Sequence, residues 1–204
     1  ITSVEQIAPA IASAMEHAPT KHGRVVVQRW LPGDDNRILV IDKRHVFGVK
    51  RVPAHVIGDG VRSVSKLVAA WNAALTESVR RIRLDERANG FLKEQDLTPQ
   101  SVPGTGDFIR LSDLSNAHQG AVVVDTTDTL CDSVRELAIG IARDFDCGVL
   151  GIDFLSEDIS KTPGKIIELN PSPGLRMHLS PTVGTPRDVT GAILDMLFPE
   201  TVTD

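Results

Sequence analysis

Apolar residues recur along this chain with two different periods. Ile7, Ile11, Ala14 and Met15 follow one another at helical spacing, and Ser3-Val-Glu-Gln6 ahead of them reads as a capping box, so a helix is expected across Thr2–His17. The β-branched run GRVVVQRW, Gly23–Trp30, predicts a strand, and LPGDDN after it predicts a turn. RILVID and HVFGVKRV predict two further strands, joined near Lys43 as a hairpin. Pro53–Gly60 is rich in turn formers and predicts a loop. Ser63 is expected to cap a helix reaching about Leu75, with Val64, Leu67, Val68 and Trp71 on one face. Thr76–Asn89 is polar and carries Arg80, Arg81, Arg83 and Arg87. It predicts a solvated helix or loop, with a phosphate-facing patch as the other reading.

The second half continues with shorter elements. DFIRL (Asp107–Leu111) predicts a strand, SDLSNAHQG a loop, and AVVVD (Ala121–Asp125) another short strand. Ser133 and Glu136 open a helix expected to run to about Phe145 and to stop before Gly148. GVLGIDFL and KIIELN predict strands. Thr185 as N-cap, Pro186 at the first helical position and Asp188 at the third predict a last helix ending near Phe198. Hairpins, and loops too varied for a regular βαβ rhythm, point to an α+β fold with a mostly antiparallel sheet. The sequence holds no internal repeat and no low-complexity segment.

Composition narrows the class. The 204 residues are 41% apolar and 24% charged, enough for one domain, or one domain of two lobes, with a substantial core. A net charge of −5 gives no overall pull toward nucleic acid or an anionic membrane. No run of apolar residues is long enough to span a bilayer, and no signal peptide is visible. Cys131 and Cys147 read as small buried hydrophobes in a reducing cytoplasm. Oligomeric state stays open, with a homo-oligomer allowed. The chain opens directly on a helix at Ile1 and is expected to be a fragment of something longer.

The chemistry concentrates in GIDF and IELNPSPG. Glu168 and Asn170 sit two apart in a strand, so both leave the same face, and Asp153 interrupts an otherwise apolar strand. Pro163-Gly164 lies between the two strands, which makes them antiparallel neighbours and brings Asp153 opposite or diagonal to the Glu168/Asn170 face. Two carboxylates forced together repel and lose hydration, and a divalent cation removes both costs. Oxygen donors without His or Cys suit Mg²⁺ and disfavour zinc. The competing reading is solvated carboxylates on an open sheet face, with Asn170 starting a turn before Pro171. The connector from Gln28 to Leu31 could offer backbone groups to an adenine ring, with Asp34 or Asp35 taking ribose hydroxyls, although plain hairpins look the same. No GxxxxGK loop and no GxGxxG fingerprint is present. Gly58-Asp-Gly60 could approach a ligand or simply make a turn.

Taken in order, QRWLPGDDNRILV, RVPAHVIGDGVRSVSKLV, SVPGTGDFIRL, DTTD and ELNPSPGLRMHLSPTVGTPRDV resemble the ATP-grasp superfamily. More closely they resemble the ATP-grasp modules of cyanophycin synthetases, then those of bifunctional glutathione synthetases. The resemblance runs nearly end to end. It implies an ATP-grasp large lobe over residues 32–204 and the end of the lid lobe over residues 1–31, with the glycine-rich lid missing. It implies ATP and Mg²⁺ as cofactors, and an ATP-dependent ligase joining an amino-acid or peptide carboxylate to an amine through an acyl phosphate. A glutathione-type or other dipeptide ligase is the alternative, and a noncatalytic nucleotide-binding module is the alternative of another class. By position, Asp153, Glu168 and Asn170 match the magnesium ligands. Gln28, Arg29, Trp30 and Leu31 match the adenine connector, and Asp35 the ribose-binding acid. Arg51 and Arg176 match cations near the phosphates and the acyl intermediate. His55, Arg110, Asn116 and His178 lie in loops that would face the acceptor. The chain departs from the pattern at Gln28, where Glu is usual, and at Gln119-Gly120, where many members have Gly-Gly.

Overall fold

The longest strands form where apolar residues run most densely. β1 (Asp34–Ile41) and β2 (His45–Val52) pair antiparallel across a tight turn in which Asp42 and Lys43 adopt left-handed conformations, at φ 53° and 54°. β6 (Val149–Ser156) lies on the other side of β1. β7 (Lys165–Asn170) follows it antiparallel, and β5 (Val122–Asp125) edges β2, giving the order β5-β2-β1-β6-β7. One face of this sheet presents Ile38, Val40, Leu150, Ile152 and Phe154 to Val134, Ala138 and Ala142 of α4 (Asp132–Asp144). The opposite face presents Leu39, Ile41, Phe47 and Val149 to Val189, Ala192, Ile193 and Met196 of α6 (Val189–Leu197).

A computed structural model describes residues 3–16, 24–29, 31–75, 81–112 and 120–201. It divides into two units, Ile1–Leu31 and Pro32–Asp204. The first holds α1 (Ile7–Glu16), preceded by a 3-10 turn, and none of the helix residues is buried. The second holds the five-stranded sheet and a smaller two-stranded one. In the latter, β3 (His55–Ile57) pairs with β4 (Phe108–Arg110). α2 (Val64–Ala74) and α3 (Glu86–Glu94) close over it around Val56, Leu67, Leu92 and Ile109. Each such side chain removed from water stabilises the fold by roughly 1.5–3 kcal/mol.

Several local expectations give way to tertiary context. Arg24–Arg29 forms no strand, and Val26 and Val27 are 73% and 75% exposed; β propensity without a pairing ladder does not make a strand. Ser3 makes no side-chain cap bond. The loop expected at Pro53–Gly60 contains β3. Its glycine turn closes on the chain's own backbone: a Cβ on Gly58 would lie 2.1 Å from the Gly104 carbonyl oxygen. The polar stretch before Asn89 contains the start of α3, whose Ala88 N–H donates to the Asp85 carboxylate. The last helix begins at Val189 rather than near Thr185. Asp188 caps it by accepting the Gly191 N–H, because Arg187 is held by its side chain to Asp125 and by its backbone to His178. A one-turn helix, α5 (Arg176–Leu179), was not foreseen. No described helix is long and apolar enough to cross a membrane.

Candidate functional site

Ahead of Leu39 the α6-side face of the sheet turns polar. In antiparallel pairs, directly opposed residues point to the same side. The register opposes Asp125 to Val49, Val49 to Arg37, Arg37 to Asp153 and Asp153 to Glu168, so one row crosses all five strands. Asp153 and Glu168 are cross-strand partners, with Cβ atoms about 5 Å apart by ordinary sheet geometry. Asn170 follows on the same face, opposite Gly151. The convergence expected from GIDF and IELN is therefore present in the backbone.

A bulge refines it. Phe154 pairs with Ile166, so Ile167 is the extra residue of β7. Without it Leu155 would oppose Ile166. With it Lys165 comes opposite Leu155, on the polar face.

Asp153 is strongly engaged. The Arg37 Nε–H donates to Oδ1, and Nη2 donates to Oδ2 at 3.1 Å. Arg51 Nη2 lies 3.3 Å from Oδ2. Arg51 also donates twice to Asp35 Oδ1, at 3.1 and 2.5 Å, while Asp35 Oδ2 takes no hydrogen bond among the described residues. Burial lowers the Arg51 pKa, but the bonds and charges of Asp35 and then Asp153 outweigh it and leave the group above its ordinary value. Asn170 Oδ1 accepts the Ser172 N–H at 2.9 Å, so the turn-starting role is realised, with a second lone pair left on that oxygen. Glu168 is exposed at the sheet edge.

Two carboxylates and an amide make a hard oxygen set that fits Mg²⁺. Among the described residues no three His, Cys, Asp or Glu side chains gather as a metal set of their own.

At the other end of the row, Arg187 donates to both oxygens of Asp125, at 2.6 to 3.2 Å, and to Asp128 at 2.6 Å. Thr127 donates to Asp125 as well. His178 is 1% exposed, and neither ring nitrogen finds a partner among the described residues. It is thus a buried residue of α5 and not the loop residue that its position suggested. Arg176, at the start of α5, is exposed.

The remaining candidates lie elsewhere. His55 and Arg110 are cross-strand partners in the two-stranded sheet. His55 stacks on Phe108 at 4.4 Å between ring centroids, and its Nδ1–H donates to the Pro53 carbonyl. Arg110 pairs with Glu94 at 3.1 Å and covers the Phe91 ring. Gln28 and Arg29 are exposed in the first unit, where Leu31 is half-buried. Trp30 and Asn116 lie outside the described residues.

Sequence reasoning missed Arg37 and the Asp125–Arg187 pair. Asp35 and Arg37 are two apart in a strand, the same spacing that singled out Glu168 and Asn170, so Arg37 had a readable signal. Arg187 had none, because its partners are about sixty residues away.

Comparison with known proteins agrees with this architecture. Residues 101–197 match the family model of the RimK-like ATP-grasp domain. The chain is 34% identical over 197 residues to cyanophycin synthetase of Nostoc sp., covering 92% of this chain and 22% of that protein. It is 35% identical over 203 residues to the glutathione biosynthesis bifunctional protein GshAB of Mannheimia succiniciproducens, covering 94% of this chain and 27% of that protein. The crystal structure of a bifunctional glutathione synthetase from Pasteurella multocida superposes with a TM-score of 0.74 at 34% identity, over 84% of this chain and 24% of that one. The chain thus spans about a quarter of the length of these relatives. Its fold is the ATP-grasp fold, and the resemblance read from the sequence is borne out.

Proposed function

Starting from that fold, we propose that the chain carries the Mg·ATP centre of a ligase that joins a carboxylate to an amine through an acyl phosphate. The β6–β7 register, which sets Asp153, Glu168 and Asn170 on one face, is the observation that carries this reading. Those three side chains would hold the metal. A bound Mg²⁺ would neutralise charge on the ATP phosphates as the γ-phosphoryl group moves.

The chain's own groups do the rest. Arg51 stands one row from Asp153 on the same face and presents a permanent cation toward the phosphates. Asp35 keeps Oδ2 for a ribose hydroxyl because Arg51 uses only Oδ1. The Gln28–Leu31 backbone holds the adenine. Residues 1–31 then represent the end of a lid lobe and residues 32–204 the large lobe. Arg176 faces the acyl carbon and stabilises its developing oxyanion, a contact worth about 3 kcal/mol in such sites. His55, Arg110 and Asn116 serve the acceptor, an amino-acid or peptide carboxylate. The cyanophycin-type and glutathione-type acceptors both stand, since relatives of the two kinds are equally similar. A noncatalytic nucleotide-binding module has less support, because a relic gains nothing from keeping Asp153 aligned by two guanidiniums beside Glu168.

Calorimetric titration of ATP with Mg²⁺ into the chain tests the reading. Glu168→Gln changes an exposed edge residue and leaves the core untouched, so loss of affinity reports on the site. The expected loss is at least about tenfold. Unchanged affinity would sink the metal assignment. Since no glycine-rich phosphate loop is present in the sequence, ADP release by these 204 residues, scanned over amino acids and acidic peptides, is expected to stay near background.

A further inference from the structure

We propose that Arg37 is a charge-balancing positioning residue, which makes the Asp153/Glu168/Asn170 centre take a divalent cation together with a polyphosphate and not alone. The inference rests on the reading above and adds an order of loading to it.

Arg37 engages both oxygens of Asp153. Oδ2 faces both Arg37 and Arg51, whereas Oδ1 accepts from Arg37 alone and keeps a second lone pair for a cation. The pairing therefore fixes the direction of the carboxylate without blocking it, while cancelling its charge. Arg37 cannot swing away to release that charge. It is 7% exposed, and it packs against the backbone at Gly151, where an added Cβ would lie 3.0 Å from its Nη1 and 3.4 Å from its Cδ.

The rest of the face is balanced too. Around the centre Asp35, Asp153 and Glu168 stand with Arg37, Arg51 and the exposed Lys165, and the fourth carboxylate of this face, Asp125, is paired with Arg187 from outside the sheet, so each carboxylate of the face has a cation to balance it. A hydrated divalent cation sheds water reluctantly and gains little from a face with no net charge. A metal–polyphosphate complex carries net negative charge and brings most of its own metal ligands. It is attracted by Arg51 and Lys165, and it needs only the oriented oxygens of the protein set. Neutralising Arg37 removes one cation beside the metal position, which should raise bare-ion affinity on the order of tenfold.

Mn²⁺ binding to the whole chain, followed by the free-ion electron paramagnetic resonance signal with and without ATP, tests this. Wild type should bind Mn²⁺ weakly alone and at least about tenfold more tightly with ATP. Arg37→Met should bind bare Mn²⁺ about tenfold more tightly than wild type, which shrinks the ATP enhancement; Arg37→Lys should restore the wild-type pattern. Circular dichroism establishes that each variant is folded, and Arg37→Gln replaces Arg37→Met if the latter is not.

A folded neutral variant with unchanged bare-ion affinity overturns the role of Arg37. So does wild type binding bare Mn²⁺ as tightly as Mn²⁺ with ATP. Wild type that holds no Mn²⁺ even with ATP overturns the nucleotide–metal reading itself, and this inference with it.

Discussion

His178 shows how one residue can couple the site to solution conditions. Its imidazole is enclosed by α5 and the sheet, with no hydrogen-bond partner for either nitrogen among the described residues. Burial, and then the charge of Arg37, push its pKa from 6.5 down to about 4, against an opposing pull from Asp125. The unfolded chain therefore binds a proton between those values that the folded chain refuses. The stability contribution is complete above pH 6.5 and declines as pH falls toward about 4, by up to about 3 kcal/mol. Urea melts of wild type and His178→Leu between pH 7.5 and 4.5 should show the wild type losing stability more steeply. Parallel pH profiles would refute the buried-neutral assignment. Nothing in GLRMH announced this burial, because it depends on which strands lie beneath α5.

Among elements, the β6–β7 pair shows what pattern can and cannot convey. Alternation, and the turn formers between the strands, gave their antiparallel pairing and the common face of Asp153 and Glu168. The bulge at Ile167 that recruits Lys165 was not legible, since KIIELN reads equally well as a regular strand. Gly151 marks the closest approach in this element. It opposes Asn170, and a Cβ there would sit 2.7 Å from the rigid ring of Pro173. Gly151→Ala should cost about 1–3 kcal/mol in denaturant unfolding and should also weaken Mg·ATP binding, because the loop after β7 must lift. A variant with wild-type stability would show that this loop is not held as described. DFIRL announced β4, but its partner β3 and the helix α3 escaped the pattern for a related reason. Three-residue strands carry almost no period, and α3 buries only Ala88 and Leu92.

At the scale of the molecule, the break at Leu31/Pro32 assigns the proposed adenine connector to the first unit and the buried core to the second. Every fully buried hydrophobic residue among those described lies at Ile38 or beyond. A chain beginning at Pro32 should therefore unfold cooperatively, with a melting temperature within a few degrees of the full chain. Its ATP affinity should fall if Gln28–Leu31 supplies the adenine contacts. A truncated chain that is unfolded, or that binds ATP as well as the full one, would contradict one half of this expectation. The sequence by itself determined the α+β class, the main hairpin, the helices α2 and α4, and the common face of Asp153, Glu168 and Asn170, because each rests on local spacing, turn formers and side-chain chemistry. Only the tertiary structure decided that Arg37 and Arg51 hold Asp153, that Arg187 fastens the segment before α6 to Asp125, and that His178 is buried between them. Those contacts join residues up to 116 positions apart. They exist because strand order and register place distant segments side by side, a condition that no local pattern encodes.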